Sequence, residues 1–184
     1  GKRAWKEEGA KHGELFVAEY QSAGRGRFTR RWSAPPDSAI TMSILICPEF
    51  SPMKAPMMTL VMGLSVAQAV ADLGLDVGIK WPNDVVVSRK KICGILTEMT
   101  MKQDKIGCAV IGVGINVNMD SFPEETADKA TSLYLESGHV FDRAEVVGLV
   151  MKHFEENYER FVQTEDLSGM KTDYEKLLAN LNQP

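Results

Sequence analysis

VGIKWPNDVVVSRKKICGILTEMTMKQDKIGCAVIGVGINVN, residues 77–118, decides how this chain folds. Residues 77–81, 84–87, 92–100 and 106–118 form four successive apolar runs rich in valine and isoleucine. Runs of that length, bounded by Pro, Asn, Asp and charged clusters, read as strands. SRKK, residues 88–91, sits between the second and third runs and reads as a hairpin turn.

The pattern continues on either side. AITMSILIC (39–47) is nearly apolar throughout, as a strand inside a sheet would be. ELFVAEY (14–20) has the density of another strand, and the residues before it read as a helix end stopped at Gly9 or Gly13. The segment 54–73 is apolar around most of its circumference, with Pro56 suited to a first turn and Gly74 to a C-terminal stop. Its uncharged core, 55–71, is shorter than the ~20 apolar residues of a spanning helix, which predicts a buried helix and no membrane partner. After Phe141, Asp142 and Glu145 form a capping-box pattern, with Phe141 and Val146 placed as a hydrophobic staple. Val146, Val147, Leu149, Val150, Phe154, Tyr158 and Phe161 recur at helical spacing, and a shorter helix is expected near 173–181. The predicted class is α+β: a mixed, largely antiparallel sheet flanked by helices.

A chain of 184 residues, 44% apolar and 25% charged, suffices for one globular domain and is not globally disordered. Its net charge of −4 argues against general nucleic-acid binding. Cys47, Cys93 and Cys108 are scattered in apolar surroundings and read as buried reduced thiols, which fits a reducing, cytoplasmic setting. His12, His139 and His153 lie far apart, so no metal site is expected from them. No signal-peptide pattern opens the chain, and its ends read as those of a fragment.

Against that acidic balance, QSAGRGRFTRRW (21–32) concentrates four arginines, and no acid occurs between Glu19 and Asp37. Two glycines let such a backbone approach a ligand closely, and forked guanidinium donors suit carboxylate and phosphate. A small anion fits this loop; a solvated basic turn or nucleic-acid contact are the alternatives. KWPND (80–84) offers a point charge in Lys80, a flat face in Trp81, and Asn83 and Asp84 in a turn, although an ordinary Asx turn would look the same. In the following strands Gly94, Gly112 and Gly114 occupy positions where glycine weakens a ladder. Such glycines often mark close approach of a ligand, or else a bulge or crowded packing. Lys91 stands just before Gly94, and Asn116 two residues past Gly114.

Taken in order, GRGRFTRRW, KWPNDVVV, KKICGIL.E and VIGVGINVN resemble the catalytic domain of biotin protein ligases. The resemblance runs from about Gly13 onward. It implies the fold shared with lipoate ligases and class II aminoacyl-tRNA synthetases, with helices mainly on one side of the sheet. It also implies an ATP-dependent reaction through biotinyl-5′-AMP, with Mg²⁺ accompanying the phosphates, that biotinylates one lysine of a biotin carboxyl carrier protein. By motif, Gln21, Gly24, Arg25, Lys91, Gly94, Gly112 and Gly114 would bind biotin. Arg27, Arg30, Trp32, Asn83 and Asn116 would serve the ATP and adenylate, and Arg25, Arg27, Lys91 and Asp84 would act in catalysis.

The family loop commonly reads G-R-G-R-x-G-R, whereas Phe28 and Thr29 stand here in place of x-G. The family's S-T-N stretch for the biotin ureido group would lie before Gly1, and its small barrel-like domain after Pro184. Lipoate or octanoate transfer on the same fold, and a biotin-sensing domain without turnover, are the competing readings. An exposed sheet edge would admit a homodimer.

Overall fold

The computed structural model describes residues 9–26, 31–82 and 84–178. Among the described residues there are eight strands: β1 (Leu15–Val17), β2 (Gly24–Arg25), β3 (Arg31–Trp32), β4 (Ala39–Ile46), β5 (Val77–Lys80), β6 (Asp84–Val87), β7 (Lys90–Lys102) and β8 (Lys105–Asn116). The helices are α1 (Met57–Asp72), α2 (Glu124–Ala127), α3 (Leu133–Ser137), α4 (Arg143–Thr164) and α5 (Lys171–Leu177). Six strands form one sheet in the order β1-β4-β8-β7-β6-β5, while β2 and β3 form a separate two-stranded ribbon.

Every named pair is antiparallel. The mixed character predicted from sequence is confined to two isolated parallel bridges, Ile79 to Leu178 and Lys91 to Ala130. The hairpin expected at SRKK is present, with Ser88 and Arg89 both at positive φ, 50° and 66°. Positive φ at both central residues matches the right-handed twist of the flanking strands.

Strand alternation divides the sheet into two unlike faces. Ile40, Met42, Ile44 and Ile46 of β4 and Ile111, Val113 and Ile115 of β8 belong to the main core, with Met58, Val61 and Met62 of α1. Their neighbours in sequence, Thr41, Ser43, Gly112 and Gly114, line a cleft on the opposite face. Helix α4 lies against α1 through Val146, Val150, Phe154 and Phe161. The polar Asn157 buried between them is satisfied, donating to Ser65 Oγ at 3.0 Å and Gln68 Oε1 at 2.7 Å.

Two helix ends read from sequence are present. Gly74 follows α1 at φ 84°, and Asp142 is the N-cap of α4, accepting at 2.8 Å from the Ala144 N–H rather than from the Glu145 N–H of the expected capping box. The length argument for α1 is corrected: counted from Pro52 through a 3-10 turn, the helical segment is 21 residues long and apolar enough to cross a membrane by length and composition. What marks it as a core helix is packing, since Met58, Val61, Met62, Leu64 and Val66 are fully buried. The helix end expected before Gly9 lies outside the described residues. Cys93 and Cys108 are buried free thiols as expected, but Cys47 is half-exposed at the end of β4.

Candidate active site

A cleft of about 640 Å³ opens on the face of the sheet opposite α1. Its floor is built from β4, β8 and β7, and the β2–β3 ribbon covers one side. The register explains how the three strand glycines come together. Thr41 lies opposite Gly114, Gly114 opposite Gly94, and Gly112 opposite both Ser43 and Leu96. Small residues therefore occupy adjacent rungs on one face and leave the backbone of three strands open to a ligand.

Lys91 reaches this face through an irregularity. Asp84 pairs with Gly94 and Val85 with Cys93, but Val86 pairs with Lys91, so Ile92 is an extra residue in β7. Positions 91 and 94 would lie on opposite faces of a regular strand; the bulge turns Lys91 to the side of Gly94. Ile92 and Cys93 both point into the core, each fully buried. Lys91 Nζ then stands 2.7 Å from Asp84 Oδ1. It also lies 3.2 Å from the point a Cβ on Gly94 would occupy. Asp84 Oδ1 accepts no hydrogen bond among the described residues, so this ammonium is what balances its charge. Both side chains keep about a third of their surface exposed, so the pair is open to a ligand at the cleft.

The ribbon supplies the second cation. Arg25 Nη2 donates to Glu98 Oε2 at 3.1 Å, with Arg25 72% exposed and Glu98 30% exposed. An exposed pair of this kind contributes only ~0–1 kcal/mol, so Arg25 is held loosely over the cleft. Opposite Gly24, β3 delivers Trp32, whose Nε1 donates to Thr41 Oγ1 at 3.4 Å. Gly24, within β2, is buried, and a Cβ there would collide with the Trp32 carbonyl oxygen and lie 2.8 Å from Gln21 Oε1.

Of the residues singled out from sequence, Gln21, Arg25 and Trp32 line the cleft from the ribbon side. Asp84, Lys91, Gly94, Gly112 and Gly114 line it from the sheet. Gly24, expected to bind biotin, is buried in β2 and is not among the lining residues. Asn116 is not among the residues lining the cleft: it is 6% exposed, and its amide donates to the Thr131 carbonyl at 3.1 Å. Arg27, Arg30 and Asn83, with Phe28 and Thr29, lie outside the described residues. Asp84 is the first residue of β6 rather than part of a turn, and Lys91 is inside β7 rather than before it. Glu98 and Tyr20 line the cleft without having been expected there. Glu98 was legible, since Gly94, Leu96 and Glu98 share one face at period two.

The chain matches the model of the biotin/lipoate A/B protein ligase family over residues 2–116. It is 42% identical over 156 residues to the bifunctional ligase/repressor BirA of Bacillus spizizenii, covering 83% of this chain and 48% of that protein. It is 38% identical over 126 residues to the biotin–[acetyl-CoA-carboxylase] ligase of Mycobacterium tuberculosis, covering 66% of this chain and 45% of the other. The biotin protein ligase of Aquifex aeolicus, solved in complex with biotin and ATP, superimposes with a TM-score of 0.81 at 34% identity, covering 97% of this chain and 73% of that one. The chain spans about half the length of the curated relatives it matches. On the matched family model and these identities, it belongs to the biotin/lipoate A/B protein ligase family.

Proposed function

We propose that this chain carries the catalytic cleft of a biotin protein ligase, which joins biotin to MgATP as biotinyl-5′-AMP, releases pyrophosphate, and passes biotin to one lysine of a carboxyl carrier protein. The observation that carries the reading is Lys91, turned by the Ile92 bulge onto a floor of three strand glycines and anchored by Asp84. The names of the relatives support the same substrates.

Adenylation requires a carboxylate oxygen to attack the α-phosphorus, so two anions must meet. Two unit charges about 4 Å apart repel by roughly 4 kcal/mol at an effective dielectric constant near 20. Lys91 from the floor and Arg25 from the ribbon offset that repulsion and stabilise charge developing on the phosphate oxygens. Gly94, Gly112 and Gly114 let the acid's chain lie against the backbone. Mg²⁺ enters as part of the nucleotide, because that ion binds chiefly through phosphates and water. Both cleft carboxylates, Asp84 and Glu98, are already paired with cations.

In the transfer step the carrier lysine attacks the acyl carbon of the mixed anhydride, and AMP leaves. An ammonium with the ordinary pKa of about 10.4 must first lose a proton, and Asp84 is the carboxylate placed to accept it. A cytoplasmic setting fits three unpaired thiols. Neither membrane nor nucleic acid enters the reading. The short edge strand β1 leaves room for pairing with a second copy.

The test is incubation of the chain with biotin, MgATP and a carrier domain, with lipoic acid as competitor, followed by mass measurement of the carrier. Biotin-sized mass on one lysine, insensitive to lipoic acid, is expected. Lipoyl transfer, or binding of biotin without any adenylate, would replace this reading.

A further inference from the structure

The acid-free window around the arginines is bounded by Glu19 and Asp37, and a single side chain holds both. Arg143 Nη1 donates to Glu19 Oε2 at 2.8 Å and to the Ala39 carbonyl at 3.2 Å, while Nη2 donates to Asp37 Oδ1 at 3.2 Å. Arg143 is 25% exposed, whereas Glu19 and Asp37 are 67% and 80% exposed. The anchor is fixed and the two acids come to it. Helix statistics offer no reason for an arginine there. Arg143 is the first residue of α4, where the helix dipole disfavours a cation. Asp37 is itself held at φ 60°, a left-handed conformation uncommon outside glycine that aspartate tolerates better than most side chains.

The surroundings immobilise the anchor. Asn118 grips the backbone of Phe141 from both sides, donating to its carbonyl at 2.9 Å and accepting from its N–H at 3.0 Å. The Val117 and Asn118 N–H groups both donate to the Ser38 carbonyl, at 3.3 and 2.7 Å. The end of β8, the start of α4 and both stems of the 20–36 segment are thus one hydrogen-bonded unit. That segment carries Arg25 and Trp32 to the cleft.

We infer that Arg143 is a positioning residue for the ligase cleft: its forked guanidinium ties the two stems of the arginine segment together and so sets where the β2–β3 ribbon places Arg25 and Trp32. The inference rests on the proposed ligase reading for its catalytic consequence, but its structural half is readable without substrates. Lysine is a poor substitute, because a single ammonium does not span two carboxylates and a carbonyl in one plane.

The experiment compares Arg143→Gln, Arg143→Lys and the surface pair Glu19→Gln/Asp37→Asn by three measurements: the thermal midpoint, the rate of tryptic cleavage after Arg25, and the adenylation step. The first two need no ligand, so they decide the inference even if the chain proves not to be a ligase. Cleavage after Arg25 should quicken about tenfold in Arg143→Gln with a nearly unchanged midpoint, as local opening does. Adenylation kcat should fall by up to about 10²-fold, the scale of a ~1 Å misplacement, with KM for biotin moving less. Arg143→Lys should recover part of both. The Glu19/Asp37 variant neutralises only exposed carboxylates, leaves weaker amide acceptors for Arg143, and should reproduce most of the effect. Adding it to Arg143→Gln should cost nothing more, since both break the same tie. Wild-type cleavage and kcat in the Glu19/Asp37 variant, or fully additive losses in the combination, would overturn the inference.

Discussion

The indole of Trp32 stands in the space a side chain at Gly114 would need: a Cβ built there lies 2.6 Å from both Cε2 and Cζ2 of the ring. The glycine is therefore required by the protein's own tryptophan, whatever ligand also uses that floor. Gly114→Ala should destabilise the fold by about 1–3 kcal/mol or expel the ring, since overpacking against a rigid group has no cheap relief. Expulsion would show as a red shift in tryptophan emission. Trp32→Ala should relieve most of the damage in the double variant. Additive losses in the cycle would mean that the two residues do not meet.

Lys91 and Asp84 make separable predictions for the two half-reactions. Lys91→Ala should lower biotin-dependent pyrophosphate exchange by about 10²-fold or more, as removal of a donor to developing negative charge does elsewhere. Asp84→Ala frees Lys91 from its 2.7 Å anchor and so will cost something in the first step too. Its loss in transfer to the carrier should nevertheless be larger. Equal losses in both steps would confine Asp84 to holding Lys91 and remove it from proton transfer. Unchanged exchange in Lys91→Ala would take Lys91 out of the site.

What the sequence disclosed and what it hid follow from the range of the forces involved. Strands β4 to β8, the buried helix α1 and the cap of α4 were readable because alternation, apolar runs and Asx caps are local signals. The bulge at Ile92 was not, because an extra residue in a strand is defined only against its partner, and KKICGIL looks the same with or without it. That irregularity is what brings Lys91 to the cleft. The two-residue strands β2 and β3 are likewise set by the fit of Gly24 against Trp32 rather than by propensity. Asn116, chosen for its place after two glycines, shares their face of β8 at period two, but its amide is taken up by the Thr131 carbonyl, a demand that only tertiary structure reveals. Arg143 drew no notice in the sequence because its partners, Glu19, Asp37 and the Ala39 carbonyl, are all over a hundred positions away.

The cysteines divide by environment. Burial pushes the Cys47 thiol above its ordinary value, and neighbouring Cys108 adds to the effect. Cys93 is raised much further by full burial, against a smaller opposing pull from Lys91. Thiolate is the reactive form, so Cys47 should be alkylated at pH 8 more slowly than a free cysteine and speed up at higher pH. Cys93 and Cys108 should react only on unfolding. Three fast-reacting thiols in the native protein would contradict the burial of Cys93 on β7 and Cys108 on β8.

Tyr174, on α5, offers a prediction about pH and stability together. Its hydroxyl is buried without a hydrogen-bond partner among the described residues, and burial pushes the phenol up to about 12. Folding thus favours the neutral form. The stability this represents is complete below the ordinary tyrosine value of about 10 and drains away as pH climbs from there through about 12. Tyr174→Phe removes both the orphaned hydroxyl and the titration. It should leave stability at pH 7 unchanged or raise it by up to about 1 kcal/mol, because a buried polar group without a partner is a net cost. The variant should also unfold at higher pH than the parent in a base titration followed by circular dichroism. A loss of more than about 1 kcal/mol at pH 7 would show that the hydroxyl has a hydrogen-bond partner after all.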